Sequence, residues 1–154
     1  PPGHEHGRVA LRIGAALLAY VDRLESDTGV RVGEVVSNDA GCWVERGPDT
    51  VLAPDVAFTA ADRLPAGPIH HFLPSAPTIA VEVRSPTDRP RAIRTKVARW
   101  LAAGTARVWT VDPMRRTACV HRADGSETPL GADGVLDGET GLPGFTLPLA
   151  TVFR

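Results

Sequence analysis

TIAVEVRSPTDRPRAIRTKVARWLAAGTARVWTVD, residues 78–112, reads as a strand, a helix and a second strand. In 78–84, Ile79, Val81 and Val83 alternate with Ala80, Glu82 and Arg84, so the two sets point to opposite faces of a sheet. Ser85-Pro86-Thr87-Asp88 breaks the strand. From about 90 to 103, Ile93, Val97, Trp100 and Leu101 gather on one helical face, and Gly104 can end the helix. Residues 106–112 form another apolar strand. A strand–helix–strand step of this kind calls for a right-handed parallel crossover.

Upstream, Val9, Ile13, Leu17, Tyr20, Val21 and Leu24 recur at three- and four-residue steps and predict a helix over 6–25. Glu5 and His6 fall at its N-terminus, where a carboxylate meets the positive end of the helix dipole, and Gly29 can close it. A strand follows near 30–37, then a turn at Asn38-Asp39-Ala40-Gly41 and a strand at Cys42–Glu45. After the turn at 46–49, a third strand is expected over 50–58, with Pro54 interrupting its hydrogen bonding. Together these predict an antiparallel meander. Residues 59–77, with four prolines and adjacent His70 and His71, read as an irregular loop long enough to hold a short helix or a functional element. Downstream, 117–122 returns as a hairpin partner of 106–112. The Gly- and Pro-rich remainder brings Leu142-Pro143-Gly144-Phe145 and Val152-Phe153 back onto the core. The expected fold class is α/β (α+β): a mixed sheet flanked by helices.

With 154 residues and 16.3 kDa, the chain has the size of one domain. A net charge of −1 argues against a non-specific polyelectrolyte binder but leaves room for a local basic patch. No apolar run reaches the ~18–20 residues of a membrane span. The opening Pro1-Pro2-Gly3-His4-Glu5-His6 has no basic flank and apolar core of a signal peptide, so a cytoplasmic protein is expected. The first residue is not Met, which suggests that a few residues precede Pro1. Cys42 and Cys119 are too few for a disulfide scaffold and read as reduced thiols. Neither has a second Cys or a His at zinc-motif spacing. His4/His6 and His70/His71 each lack a third ligand, and His121 reads as a surface strand residue.

Of the 17 basic residues, Lys96 is the one lysine and the other 16 are arginine. In a chain that uses Arg wherever a cation will do, a lone ammonium raises the question of a task that a wide guanidinium cannot perform. Chance survival on a solvated helix face is the plain alternative. Lys96 borders the inward face, so its stem can lie along the core while its ammonium reaches the sheet. Glu82, flanked by Val81 and Val83, is a mid-strand carboxylate in an apolar strand. Such a residue is costly if buried unpaired, so either its face is solvated, or it pairs with Arg84 or another Arg, or it serves chemistry. Asp55 follows Pro54 in the preceding strand. If these strands are neighbours, Asp55, Glu82 and Lys96 can meet. Two close carboxylates repel and need a cation between them, and a hard ion, Mg²⁺ or Mn²⁺, accepts such oxygens and keeps waters. A bound water can then attack a phosphodiester while the lysine orients it or stabilises transition-state charge.

Pro54-Asp55-Val56, then Glu82-Val83-Arg84-Ser85-Pro86, then Lys96 with Trp100 and Gly104, then Trp109-Thr110-Val111-Asp112-Pro113 follow one another in order. This series resembles the Uma-two family of bacterial restriction-endonuclease-like proteins, a branch of the PD-(D/E)XK nuclease superfamily. Glu5-His6 and the closing Leu142-Pro143-Gly144-Phe145 also resemble the family, so the likeness spans nearly the whole chain.

The resemblance implies a restriction-endonuclease-like fold and a Mg²⁺- or Mn²⁺-dependent DNA endonuclease. It carries over Asp55 and Glu82 as metal ligands, with the Val83 carbonyl as a further ligand. Lys96 becomes the catalytic lysine, moved from the strand to the helix. It also places His6 near the site and makes a homodimer conceivable. Two departures stand out. Arg84 occupies the place where the parent superfamily keeps its lysine, and it can share the role, bind phosphate, or pair with Glu82 and quench it. The family's N-terminal acidic strand is missing or truncated, leaving Glu5 or Glu34 as candidates for a further carboxylate. Arg84, Arg89, Arg91 and Arg94 form a local cationic excess suited to positioning phosphates, with a solvated helix start as the plain reading. A non-catalytic nucleic-acid-binding or dimerisation module on the same fold is the competing expectation.

Overall fold

The computed structural model describes residues 3–38 and 40–154. Pro1, Pro2 and Asp39 lie outside the described residues, and with Asp39 the turn expected at 38–41. Helix α1 (His4–Thr28) presents Val9, Ile13, Leu17 and Val21 as one buried stripe and ends at Gly29 in the left-handed conformation. Strands β1 (Gly33–Ser37), β2 (Cys42–Glu45), β3 (Thr50–Leu52), β4 (Val56–Ala60) and β5 (Ile79–Val83) precede helix α2 (Pro90–Ala102). Strands β6 (Arg107–Asp112), β7 (Thr117–Arg122), β8 (Glu127–Leu130), β9 (Val135–Asp137) and β10 (Thr146–Pro148), then the short helix α3 (Leu149–Val152), complete the chain.

A six-stranded mixed sheet in the order β1-β4-β5-β6-β7-β8 forms the body. The β5–α2–β6 crossover is parallel, and the remaining pairings in this sheet are antiparallel. Helix α1 packs on one face, where Val9, Ile13, Leu17 and Val21 join Val56, Phe58, Ile79, Val81, Trp109 and the C-terminal Phe145, Leu149 and Phe153 in one cluster. On the other face, Val97 and Trp100 of α2 pack with Ala80 and Val108. β5 is therefore buried along its whole length. Its alternation separates two covered faces, and Glu82 lies under α2.

The expected meander does not form. β1 pairs with β4, while β2 and β3 make a separate two-stranded sheet. The reason is Pro54: lacking an N–H, it ends the expected 50–58 strand and splits it into β3, which stays in the hairpin, and β4, which joins the main sheet. The 59–77 segment is irregular apart from a 3₁₀ turn at Ala61–Arg63 and a single bridge from Cys42 to Leu73. The C-terminal third carries β8, β9, β10 and α3, where the sequence indicated only packing apolar residues.

Candidate active site

Asp55 directly precedes β4 and is locked to β5 at two points. Its backbone N–H donates to the Val81 carbonyl at 3.1 Å, and its Oδ2 accepts from the Val83 N–H at 2.7 Å. The Pro54 break thus turns the end of one strand into a clasp on the next, at the level of Glu82. From the N-terminal turn of α1, His6 brings Nε2 to 3.2 Å from Asp55 Oδ1.

Glu82 is only 2% exposed. Its Oε2 accepts from Lys96 Nζ at 2.5 Å and its Oε1 from the Trp100 indole N–H at 2.8 Å. Lys96 and Trp100 stand one helical turn apart on α2, so one helix face supplies both donors. Burial pushes the Glu82 carboxyl above the ordinary carboxylate range; Lys96 and the two hydrogen bonds pull it back, and the negative charge of Asp55 adds to the rise. Glu82, Asp55, Val83, His6 and Lys96 line one cleft of about 370 Å³, together with Ser85, Thr87 and Asp88 of the loop after β5. Asp88 Oδ2 fixes that loop by accepting from the Ser85 N–H at 2.7 Å.

The raised Glu82 value makes a stability prediction. Below the ordinary carboxylate range Glu82 is protonated both folded and unfolded, and its contribution is fully present. As pH climbs from that range through the raised folded value, the unfolded chain releases its proton first, and stability falls. The thermal midpoint of the parent is therefore expected to drop across that interval relative to Glu82→Gln. Parallel midpoint curves for the two proteins would remove this reading of the carboxyl.

Arg84 does not pair with Glu82. Its guanidinium meets Asp112 Oδ2 at 3.1 Å instead, because the parallel register sets the end of β5 beside the end of β6. Glu5 lies outside the cleft, at 2.7 Å from Arg8, and Glu34 pairs with Arg31 at 2.5 Å. Glu34 lines a separate cavity of about 220 Å³ with Cys42 and His71, where burial pushes the Cys42 thiol up to about 11. Arg89, Arg91 and Arg94 are exposed at the start of α2, beside the cleft, and make no ion pair among the described residues. Trp100, which the sequence places on the core face of the helix and in the motif with Lys96 but gives no role in the site, is a site residue; its four-residue spacing from Lys96 is the signal.

Cys42 and Cys119 are both free. His121 is not a surface residue: its side chain is 14% exposed and lies between Thr110 and Glu127. Cys119 does have a histidine within reach, because Cys119, His121 and Glu127 converge outside the cleft.

Residues 1–150 match the Uma2 family, described as "Putative restriction endonuclease". The chain belongs to the Uma2 family. Its backbone also superposes on the crystal structure of "a putative nuclease belonging to DUF820" from Anabaena variabilis. The TM-score is 0.83 at 18% identity, with 99% of this chain and 82% of that chain covered. At that identity the likeness is one of fold. No curated protein matches the chain. As an Uma2 member, the chain has the mixed sheet and flanking helices of a nuclease-fold protein. No helix among the described residues is long and apolar enough to cross a membrane.

Proposed function

We propose that this Uma2 chain hydrolyses phosphodiester bonds in DNA with a divalent ion, Mg²⁺ or Mn²⁺, held by Asp55, Glu82 and the Val83 carbonyl. The observation that carries the proposal is the convergence on one cleft of Asp55 with a buried Glu82 gripped by Lys96 and Trp100. The donors are all oxygen, the set that hard divalent ions take. A cation there would also relieve the mutual repulsion that helps raise the Glu82 carboxyl. When bound, the ion supplies Lewis-acid polarisation of a phosphoryl oxygen and lowers the pKa of a bound water.

The protein's own groups account for the rest. Trp100 and Lys96 hold both Glu82 oxygens, which fixes the carboxylate in one rotamer. The Val83 N–H does the same for Asp55. The Lys96 ammonium, 39% exposed at the cleft, can donate to a non-bridging phosphate oxygen as charge builds on it. His6 stands against the other Asp55 oxygen and can hold or pass a proton at Nε2.

The test is nicking of supercoiled plasmid with Mg²⁺ or Mn²⁺ by the parent and by Asp55→Ala, Glu82→Ala and Lys96→Ala. Cleavage by the parent alone supports the proposal. No cleavage by the parent with any divalent ion would favour the non-catalytic binding module. Cleavage that survives all three substitutions would place the activity elsewhere.

Arg89, Arg91 and Arg94 are assigned to phosphate binding. The exposed start of α2 carries no acid in its first turn to neutralise them. Substituting all three with Ala is expected to weaken DNA binding without changing sequence preference. The slope of log affinity against log salt should fall by up to about 3, roughly 1 for each phosphate that is no longer neutralised. Fluorescence anisotropy at several salt concentrations reads this directly, and an unchanged slope would remove these arginines from the interface.

A further inference from the structure

Cys119 and His121 alternate on β7 and therefore project from the same face of the sheet. The hairpin to β8 sets Glu127 directly opposite His121 in register. One ligand atom from each of the three side chains lies within 4.8 Å of the other two. We propose that Cys119, His121 and Glu127 form a second cation site, one that takes Zn²⁺.

The donor set selects the ion. Sulfur, imidazole nitrogen and one carboxylate oxygen suit a borderline-soft cation, whereas Mg²⁺ and Mn²⁺ favour oxygen alone. Around tetrahedral Zn²⁺, with Zn–S near 2.3 Å and Zn–N near 2.0 Å, neighbouring donors stand roughly 3.3–3.7 Å apart. His121 Nδ1 and Glu127 Oε1, at 3.0 Å, are already close to that spacing. Cys119 Sγ would give up a 4.0 Å approach to the Val120 carbonyl and a hydrogen bond from the Thr128 backbone on turning inward.

His121 is also oriented as a ligand would be. Its Nε2 lies 2.9 Å from Thr110 Oγ1. In the tautomer that donates Nε2–H to that hydroxyl, Nδ1 offers its lone pair to the ion, the usual arrangement behind a metal-bound histidine. A cavity of about 480 Å³ opens beside Cys119, lined also by Thr110, Pro129 and Leu130. On binding, the Cys119 thiol proton leaves to solvent, the proton that His121 Nδ1 donates to Glu127 is exchanged through solvent for one on Nε2, and the sulfur and Nδ1 lone pairs bond to zinc; nothing is oxidised or reduced. The ion would tie β7 to β8, the strand at the edge of the sheet. The site is separate from the Asp55–Glu82 cleft. The register Glu82–Thr110–Cys119 sets Cys119 two strands from Glu82, a distance of roughly 10 Å.

The experiment is a Co²⁺ titration of the chelator-treated protein, followed by optical absorption. The expected result is a thiolate-to-cobalt charge-transfer band in the near ultraviolet that saturates at one equivalent. Zn²⁺ should abolish it and excess Mg²⁺ should leave it intact. An ion held by Asp55 and Glu82 gives no such band, so failure of the nuclease reading and failure of this one are distinguishable. Cys119→Ser should lose the band while keeping the far-ultraviolet circular dichroism and melting of the chelated parent. Should Cys119→Ser fail to fold, Glu127→Gln, at a largely exposed position, decides the matter: at least a tenfold loss of Co²⁺ affinity supports the site, and unchanged affinity overturns it. A parent with no band, or a folded Cys119→Ser protein with the full band, also overturns it and leaves His121 and Glu127 as a hydrogen-bonded pair.

Discussion

Lys96→Arg is expected to lower plasmid nicking by about 10²–10³-fold, although the substitution keeps the charge. The ammonium sits 2.5 Å from Glu82 Oε2, on a helix whose next turn places Trp100 on the other oxygen. A guanidinium is planar and wider, and it binds a carboxylate as a two-pronged fork. At this position the fork competes with the indole N–H for the second oxygen and withdraws a donor from the phosphate side of the cleft. Lys96→Ala should fall to a similar rate. Single-turnover cleavage under saturating Mn²⁺ separates this effect from weak substrate binding. A Lys96→Arg protein that cuts within a few-fold of the parent would show that any cation suffices, and the meaning given to the one lysine among 17 basic residues would go with it.

Lys96→Met carries the second large effect, on stability. Removing one partner of a buried ion pair costs about 3–5 kcal/mol, because the other charge is left without compensation. Lys96 is 39% exposed, which reduces the figure to roughly 1–3 kcal/mol through solvent screening. Adding Glu82→Gln should recover much of that loss, since the neutral amide still accepts from Trp100 and no longer needs a cation. The single cost should also shrink toward acid pH, where Glu82 takes up a proton. Urea denaturation of the parent, both single variants and the double variant supplies the cycle. Strictly additive effects would mean that the pair is not coupled.

Much of this site was legible because each of its residues breaks the pattern of its own segment. Glu82 is a carboxylate in an otherwise apolar strand, Lys96 is a lysine among arginines, and Asp55 follows a proline inside a strand. The parallel crossover was legible too, since period-2 and helical patterns alternate cleanly across 78–112. Partner choice was not. Whether β1 pairs with β2 or with β4 depends on interactions between distant segments, and Pro54 was read as a flaw in one strand when it divides two. The same limit hid the fate of Arg84. Alternation correctly put it on the Glu82 face, but only the register between β5 and β6 shows that Asp112 claims it. Cys119 and His121 fall two residues apart in the 117–122 strand, a spacing that matches no zinc motif. Glu127 could join them only once Asp124-Gly125 was seen to close a hairpin, with the Gly125 N–H donating to the Arg122 carbonyl at 3.0 Å.

β5 is bonded to a neighbour along each edge and roofed on both sides. Its backbone amides therefore have no local route to water, and their deuterium uptake reports the opening of the whole molecule. Glu82 is thus anchored in the last part of the protein to loosen. The arginines at the start of α2 stand on an exposed, freely solvated turn. Heating or mild denaturant should therefore blur the grip on a polyanion well before it disturbs the carboxylate beneath.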